Sequence, residues 1–126
     1  MFKPTQGWAS GLCKNLQYEG AEGVFVIRAV NAPLEISKTG VLTLLLEFVG
    51  GKCSRALLAE GDQNGDYIIE GNYDVFMKIF EGSLPAFAAF ALGKIRLVKG
   101  SLSRLADYMP LALAIVEEAR RVAGYK

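Results

Sequence analysis

Asp62-Gln63-Asn64-Gly65-Asp66 puts side-chain oxygens at the first, third and fifth places of a stretch, as the start of a calcium loop would. The remainder of such a loop is missing. Tyr67 stands where the sharp turn needs glycine, and Tyr73 where the bidentate glutamate belongs. A polar hairpin tip is the better reading. The two cysteines, Cys13 and Cys53, lie forty residues apart and the chain has no histidine, so zinc-site spacings and Cys-His nucleophile pairs are both excluded. Two buried free thiols are the expectation.

Other chemistry is equally thin. Without histidine the commonest general base is absent, no serine sits in a Gly-x-Ser-x-Gly elbow, and no glycine loop matches a phosphate cradle. Glu117 and Glu118 are adjacent, but Arg120 and Arg121 follow, which describes a solvated helix face. Glu70 and Asp74 flank a strand-to-helix junction where Asn72 or Asp74 serves as a cap. The expectation is therefore a protein with no catalytic residues, no metal site and no cofactor.

One segment stands apart. Leu84-Pro85-Ala86-Phe87-Ala88-Ala89-Phe90-Ala91-Leu92 carries no polar side chain. As a helix it would be only ~14 Å long at 1.5 Å per residue, too short to cross a membrane, and a helix apolar all round needs apolar cover on both sides. Two covers are open: the sheet and the C-terminal helix close on it, or one side, with Phe87 or Phe90, lines a cavity that a lipid chain fills.

The elements that must position this segment follow from period. Val24 to Val30 alternates Phe25, Ile27 and Ala29 against Val24, Val26 and Arg28. Val41 to Val49 places Leu42, Leu44, Leu46 and Phe48 on one face, and Gly50-Gly51 separates it from a further extended run, Lys52 to Glu60. Asn64-Gly65 repeats the turn signal before Asp66 to Gly71, so Val24 to Gly71 reads as an antiparallel meander of about four strands. The period then changes: Tyr73, Phe76, Met77 and Phe80 mark an amphipathic helix that Gly82 stops. Lys94 to Lys99 is a last strand. Leu102, Leu105, Met109, Leu113, Val116 and Ala123 mark the stripe of a C-terminal helix that Pro110 divides near Tyr108. Before Val24 there is one short, weak helix, broken by Gly7 and Gly11.

The 126 residues fit one domain, and 52% of them are apolar, an excess available to a ligand or a partner. Fourteen basic and thirteen acidic side chains, without runs, give no footprint for nucleic acid and no polybasic membrane patch. The residues from Met1 to Gly11 lack the apolar run of a signal peptide and nothing reaches the length of a spanning helix, so a cytoplasmic protein is expected.

From Tyr67 to about Ala112 the order of motifs resembles the sterol carrier protein 2 (SCP-2) family of lipid-binding domains. The matching text is Tyr73 to Phe80, then Gly82-Ser83-Leu84-Pro85, Ala86 to Leu92, Gly93-Lys94-Ile95-Arg96-Leu97 and Gly100-Ser101-Leu102. Three departures stand out: Val98 and Lys99 lengthen the Gly93-to-Gly100 stretch by one residue, which implies a bulge or a shifted helix start, the first helix is reduced, and the chain closes on Ala-Gly-Tyr-Lys, not the peroxisomal Ser-Lys-Leu.

The resemblance implies an α+β fold over residues 1–126, a mainly antiparallel sheet of about five strands covered on one face by helices. It implies non-catalytic binding or transfer of a fatty acid, fatty acyl-CoA, isoprenoid or sterol in a hydrophobic cavity. Carried over by position, it sets Phe76, Phe80, Phe87, Phe90, Ile95, Met109 and Leu113 at or near that cavity. The partner is an apolar small molecule, with at most transient membrane contact and a possible homodimer. The alternative is a dimerisation or accessory module without a ligand.

Overall fold

The structure, a computed structural model, describes residues 4–123, less the side chains of Leu102, Leu105, Met109 and Ala123. Its elements run α1 (Gln6–Asn15), β1 (Gly23–Val30), β2 (Val41–Val49), β3 (Lys52–Glu60), β4 (Tyr67–Asn72), α2 (Tyr73–Glu81), α3 (Ala86–Ala91), β5 (Ile95–Lys99), α4 (Leu102–Asp107) and α5 (Met109–Ala123). The fold is α+β, as expected. The five strands lie in the order β3-β2-β1-β4-β5, and alternation puts Phe25, Ile27, Ala29, Leu44, Leu46 and Phe48 into the main core, where Trp8, Phe76, Phe80, Leu111 and Ile115 meet them from the helices.

Strand pairing corrects the four-strand meander. β1 with β2 and β2 with β3 are antiparallel hairpin neighbours, but β4 leaves the β3 edge and pairs parallel with β1, so the sheet is mixed. Parallel strands need a crossover, and here residues 61–66 supply it over the outer face of the sheet. Thr43 donates its hydroxyl to the Gly61 carbonyl at 2.7 Å, and Asp62 lies 3.7 Å from Arg28. Asn64-Gly65 is therefore no hairpin tip. Gly65 is needed for close approach: a Cβ there would sit 2.7 Å from Val26 Cγ2 and 2.9 Å from Val24 Cγ1. Beneath the crossover, Val26, Leu45 and Ile68 form a second, small apolar cluster.

β4 also pairs antiparallel with β5, and the register jumps between Ile68 and Ile69, whose partners are Lys99 and Leu97. Val98 is the extra residue, a bulge at the place where the spacing between Gly93 and Gly100 is one residue long. On the outer face Glu70 accepts from both Arg28 (3.3 Å) and Arg96 (3.1 Å), tying β1, β4 and β5 together.

α1 runs unbroken through Gly7 and Gly11, because packing outweighs the low helix propensity of glycine. Thr5 caps it by accepting from the Trp8 amide, and at Gly11 a Cβ would come within 3.0 Å of Val122, so that glycine brings α1 close to α5. The Trp8 indole donates to the Ala119 carbonyl of α5 at 3.1 Å. The Gln6 carboxamide imitates a strand neighbour, donating to the Ala56 carbonyl and accepting from the Leu58 amide, which blunts the β3 edge. Cys13 and Cys53 are joined in a disulfide that fastens α1 to β3, their Cα atoms 5.3 Å apart. This corrects the free-thiol expectation: forty residues separate them along the chain, and only folding α1 onto the sheet edge brings them together.

The C-terminal helix divides at Tyr108, as Pro110 requires; the proline falls in the first turn of α5, where its missing N–H breaks no intrahelical bond. The buried stripe of α5 is Leu111, Ile115 and Ala119. Leu113 points away, 56% exposed, because the break resets the helical phase. Among the described residues no helix is long and apolar enough to cross a membrane.

Candidate functional site

The space between sheet and helices is where the inner strand residues and the helical roof fail to fill each other. Two small apolar voids lie there, on either side of Ile27. The larger, about 60 Å³, has Phe25, Tyr67 and Ile69 of the sheet as its floor and Tyr108, Leu111, Ala112 and Ile115 as its roof. The smaller, about 20 Å³, lies among Ala29, Leu42, Leu44 and Leu58 on one side and Trp8, Phe76, Met77 and Phe80 on the other. At ~10–15 Å³ per water-sized group, the larger void, about 60 Å³, would take roughly four to six methylene-sized groups. That is far below the ~300–1,000 Å³ of an ordinary ligand pocket.

Aromatic rings frame both voids. Phe25 stacks on Tyr67 at 5.0 Å between centroids, and Tyr108 meets both edge-on at 5.2 and 5.9 Å. Trp8 meets Phe80 edge-on at 5.6 Å. These pairings leave the void walls apolar.

The residues expected at the cavity separate into groups. Phe76 and Phe80 are buried and line the smaller void. Ile95 is buried in the same core, where a Cβ on Gly71 would lie 2.6 Å from its Cγ2, and Phe90 packs partly buried against that core. Phe87 and Leu113 face outward, 64% and 56% exposed. Met109 opens α5, and its side chain lies outside the described residues. The cover expected on both sides of Leu84–Leu92 is corrected with Phe87: α3 buries only Ala89 fully, against the main core, and leaves Phe87 and Leu92 at the surface. Sequence reasoning passed over Ile69, Tyr108, Leu111 and Ile115. Alternation along β4 and the 111-115-119 spacing carried the signal for three of them.

Among the described residues the lining of this space carries no charged side chain. Among the described residues no cluster of three or more histidine, cysteine or acidic side chains is arranged to hold a metal. The oxygens of the 62–66 stretch are dispersed onto separate partners: Asp62 onto Arg28, Asn64 onto Lys99, and Asp66 onto the Val24 amide at 2.7 Å. A larger concavity, about 530 Å³, is an open and partly polar surface groove beside the disulfide, lined by Ser10, Lys14, Ser54 and Arg55 among others.

No family model and no curated protein matches the chain. Solved structures do. A crystal structure of sterol carrier protein 2 superposes with a TM-score of 0.82 at 26% identity, covering 94% of this chain and 98% of that one. The solution structure of a conserved hypothetical protein of Thermus thermophilus, described as possibly a sterol carrier protein, gives 0.81 at 27% identity over 94% and 88% of the two chains. The solution structure of sterol carrier protein 2 of Aedes aegypti in complex with the C16 fatty acid palmitate shares the fold at a TM-score of 0.53 and 17% identity, over 86% and 91%. With a five-stranded sheet roofed by helices and a likeness spanning 94% of its length, the chain has the fold of a sterol carrier protein 2-like domain.

Proposed function

We propose that this domain is a non-catalytic carrier whose ligand is a lipid with a long apolar chain, held between the sheet and the helical roof. The observation that carries the reading is the pair of apolar voids flanking Ile27, inside a fold whose Aedes aegypti counterpart has been solved with palmitate. Phe76 and Phe80 are the expected residues at that place, with Ile95 and Phe90 packed in the core behind it. Phe25, Tyr67, Ile69, Leu111 and Ile115 complete the wall.

The voids are smaller than a fatty chain, so binding means parting the roof from the sheet. Each methylene moved from water into the space contributes ~0.8 kcal/mol, which offsets that separation without a charged anchor. In this reading the whole chain acts as one unit, the ligand class is fatty acid, fatty acyl-CoA, isoprenoid or sterol, and a cytoplasmic home requires an interior that keeps disulfides, as in hyperthermophiles.

Organic extraction of the purified protein followed by mass spectrometry tests it, together with uptake of a conjugated-tetraene fatty acid and the matching alcohol. Trp8 is the chain's one tryptophan and borders the smaller void, so energy transfer from it to the polyene reports entry. Recovering no lipid and seeing no transfer overturns the proposal.

A second reading, a ligand-free dimerisation module, is favoured by one observation: Phe87 and Leu92 stand 64% and 66% exposed on α3 and at its C-terminal cap. A dimer in sedimentation equilibrium that dissociates on Phe87→Ser with Leu92→Ser supports it, and a monomer at all concentrations removes it.

A further inference from the structure

Two spaces meet at one side chain. On the inside, the 60 Å³ apolar void has Tyr108 in its wall. On the outside, a surface hollow of about 250 Å³ is walled by the same Tyr108, with Tyr18, Glu19, Arg104 and Asp107 around it. Tyr108 is the partition between a polar antechamber and the apolar interior.

Its attachments are those of a part that moves. Tyr108 is the one residue between α4 and α5, so no helix holds it on both sides. Its ring touches Phe25 and Tyr67 edge-on, and its hydroxyl donates to the Gly20 carbonyl at 3.4 Å, the long limit of a hydrogen bond. Gly20 lies in a turn at φ +88°, with open space where a Cβ would be. Rotating the ring outward breaks one weak hydrogen bond and two ring contacts, and joins hollow and void into one passage.

We propose that Tyr108 is the gate by which the lipid's apolar end enters, an inference that rests on the carrier reading. The chain passes inward and the head group stays in the hollow. Two carboxylates, Glu19 and Asp107, face one guanidinium there, Arg104, so a neutral head meets less repulsion than an acidic one.

Stopped-flow mixing with the tetraene alcohol, read by energy transfer from Trp8, is the test. Tyr108→Ala is expected to raise both rate constants, the association rate constant by about tenfold or more. Tyr108→Phe keeps the ring and loses the tether, so its rates rise by at most about fivefold; this variant serves if the alanine variant does not fold. If the wild type takes up the probe and both variants match its rates, the gate is overturned while the carrier reading stands. Faster dissociation with an unaltered association rate constant makes Tyr108 a wall and also overturns it. Uptake by Tyr108→Ala and not by the wild type supports a gate closed at rest. Failure of every form to bind overturns both ideas together.

Discussion

Ala112→Leu asks whether the void under α5 is real space or well-packed core. Ala112 is half-buried, lies on α5 and borders the 60 Å³ void, and leucine is a good helix former, so local propensity hardly opposes the change. Filling a void recovers about 24 cal/mol per Å³, so occupying 60 Å³ stabilises the protein by about 1.4 kcal/mol. In a fully packed interior the same insertion would cost roughly 1–3 kcal/mol in strain. The two cases differ in sign. Urea unfolding with m held constant separates them, and the polyene assay follows uptake in the same samples. The expected outcome is a higher midpoint with uptake lost, since the leucine takes the place of the ligand's first few methylenes. A lower midpoint with undiminished uptake would refute the reasoning, because the ligand would then lie elsewhere.

Three further outcomes are expected. Replacing Cys13 and Cys53 with serine releases a forty-residue loop, and loop entropy puts the cost near 4 kcal/mol, or roughly 15 °C in Tm for a chain this long; calorimetry of the variant against the oxidised wild type measures it. Gly65→Ala drives a Cβ to 2.7 Å from Val26 Cγ2, a stiff β-branched neighbour, and should cost about 1–3 kcal/mol in urea unfolding, with the crossover and not a turn at fault. Tyr73 has its phenol pushed above the ordinary tyrosine value, first by burial and then by Glu35 and Glu81. Because the folded state favours the neutral form, this contribution is complete below the ordinary tyrosine value and disappears as pH climbs through the raised one; Tyr73→Phe should flatten that alkaline limb of the stability profile.

Local patterns were legible wherever the cause is local. The bounds of β2 and β3, the Gly82 stop and the division at Tyr108 all follow from neighbours within a few residues, while the bulge at Val98 was legible only against the spacing of the resembled family. What escaped depends on distant parts of the chain. Asn64-Gly65 carries the letters of a hairpin, yet Gly65 serves a close approach over β1, and nothing local distinguishes the two uses. The partnership of Cys13 with Cys53 exists only once Trp8 and Leu12 have seated α1 on the core. The stripe through Leu113 failed because one helical phase was carried across a proline break. The inward face of Phe76 and Phe80 was readable from period, and their place at a ligand space came from the resemblance, whereas the outward turn of Phe87 was not readable: an all-apolar hexamer tells nothing of which side the core takes.

These attachments also bear on where the roof can lift. At its far end α5 is held by the Trp8 indole on the Ala119 carbonyl and by Val122 seated against Gly11, and α1 is in turn fastened to β3 by the disulfide and the Gln6 carboxamide. At its near end, beside Tyr108, Leu111 packs into the core, and the polar attachment of Tyr108 is one long hydrogen bond. In the carrier reading, a chain that wedges between sheet and roof enters at the Tyr108 end, with the end fastened through Trp8 and the disulfide as the pivot. The disulfide and the tyrosine then belong to one design. In that reading the first holds the roof down at one end and leaves room for a ligand to open at the other.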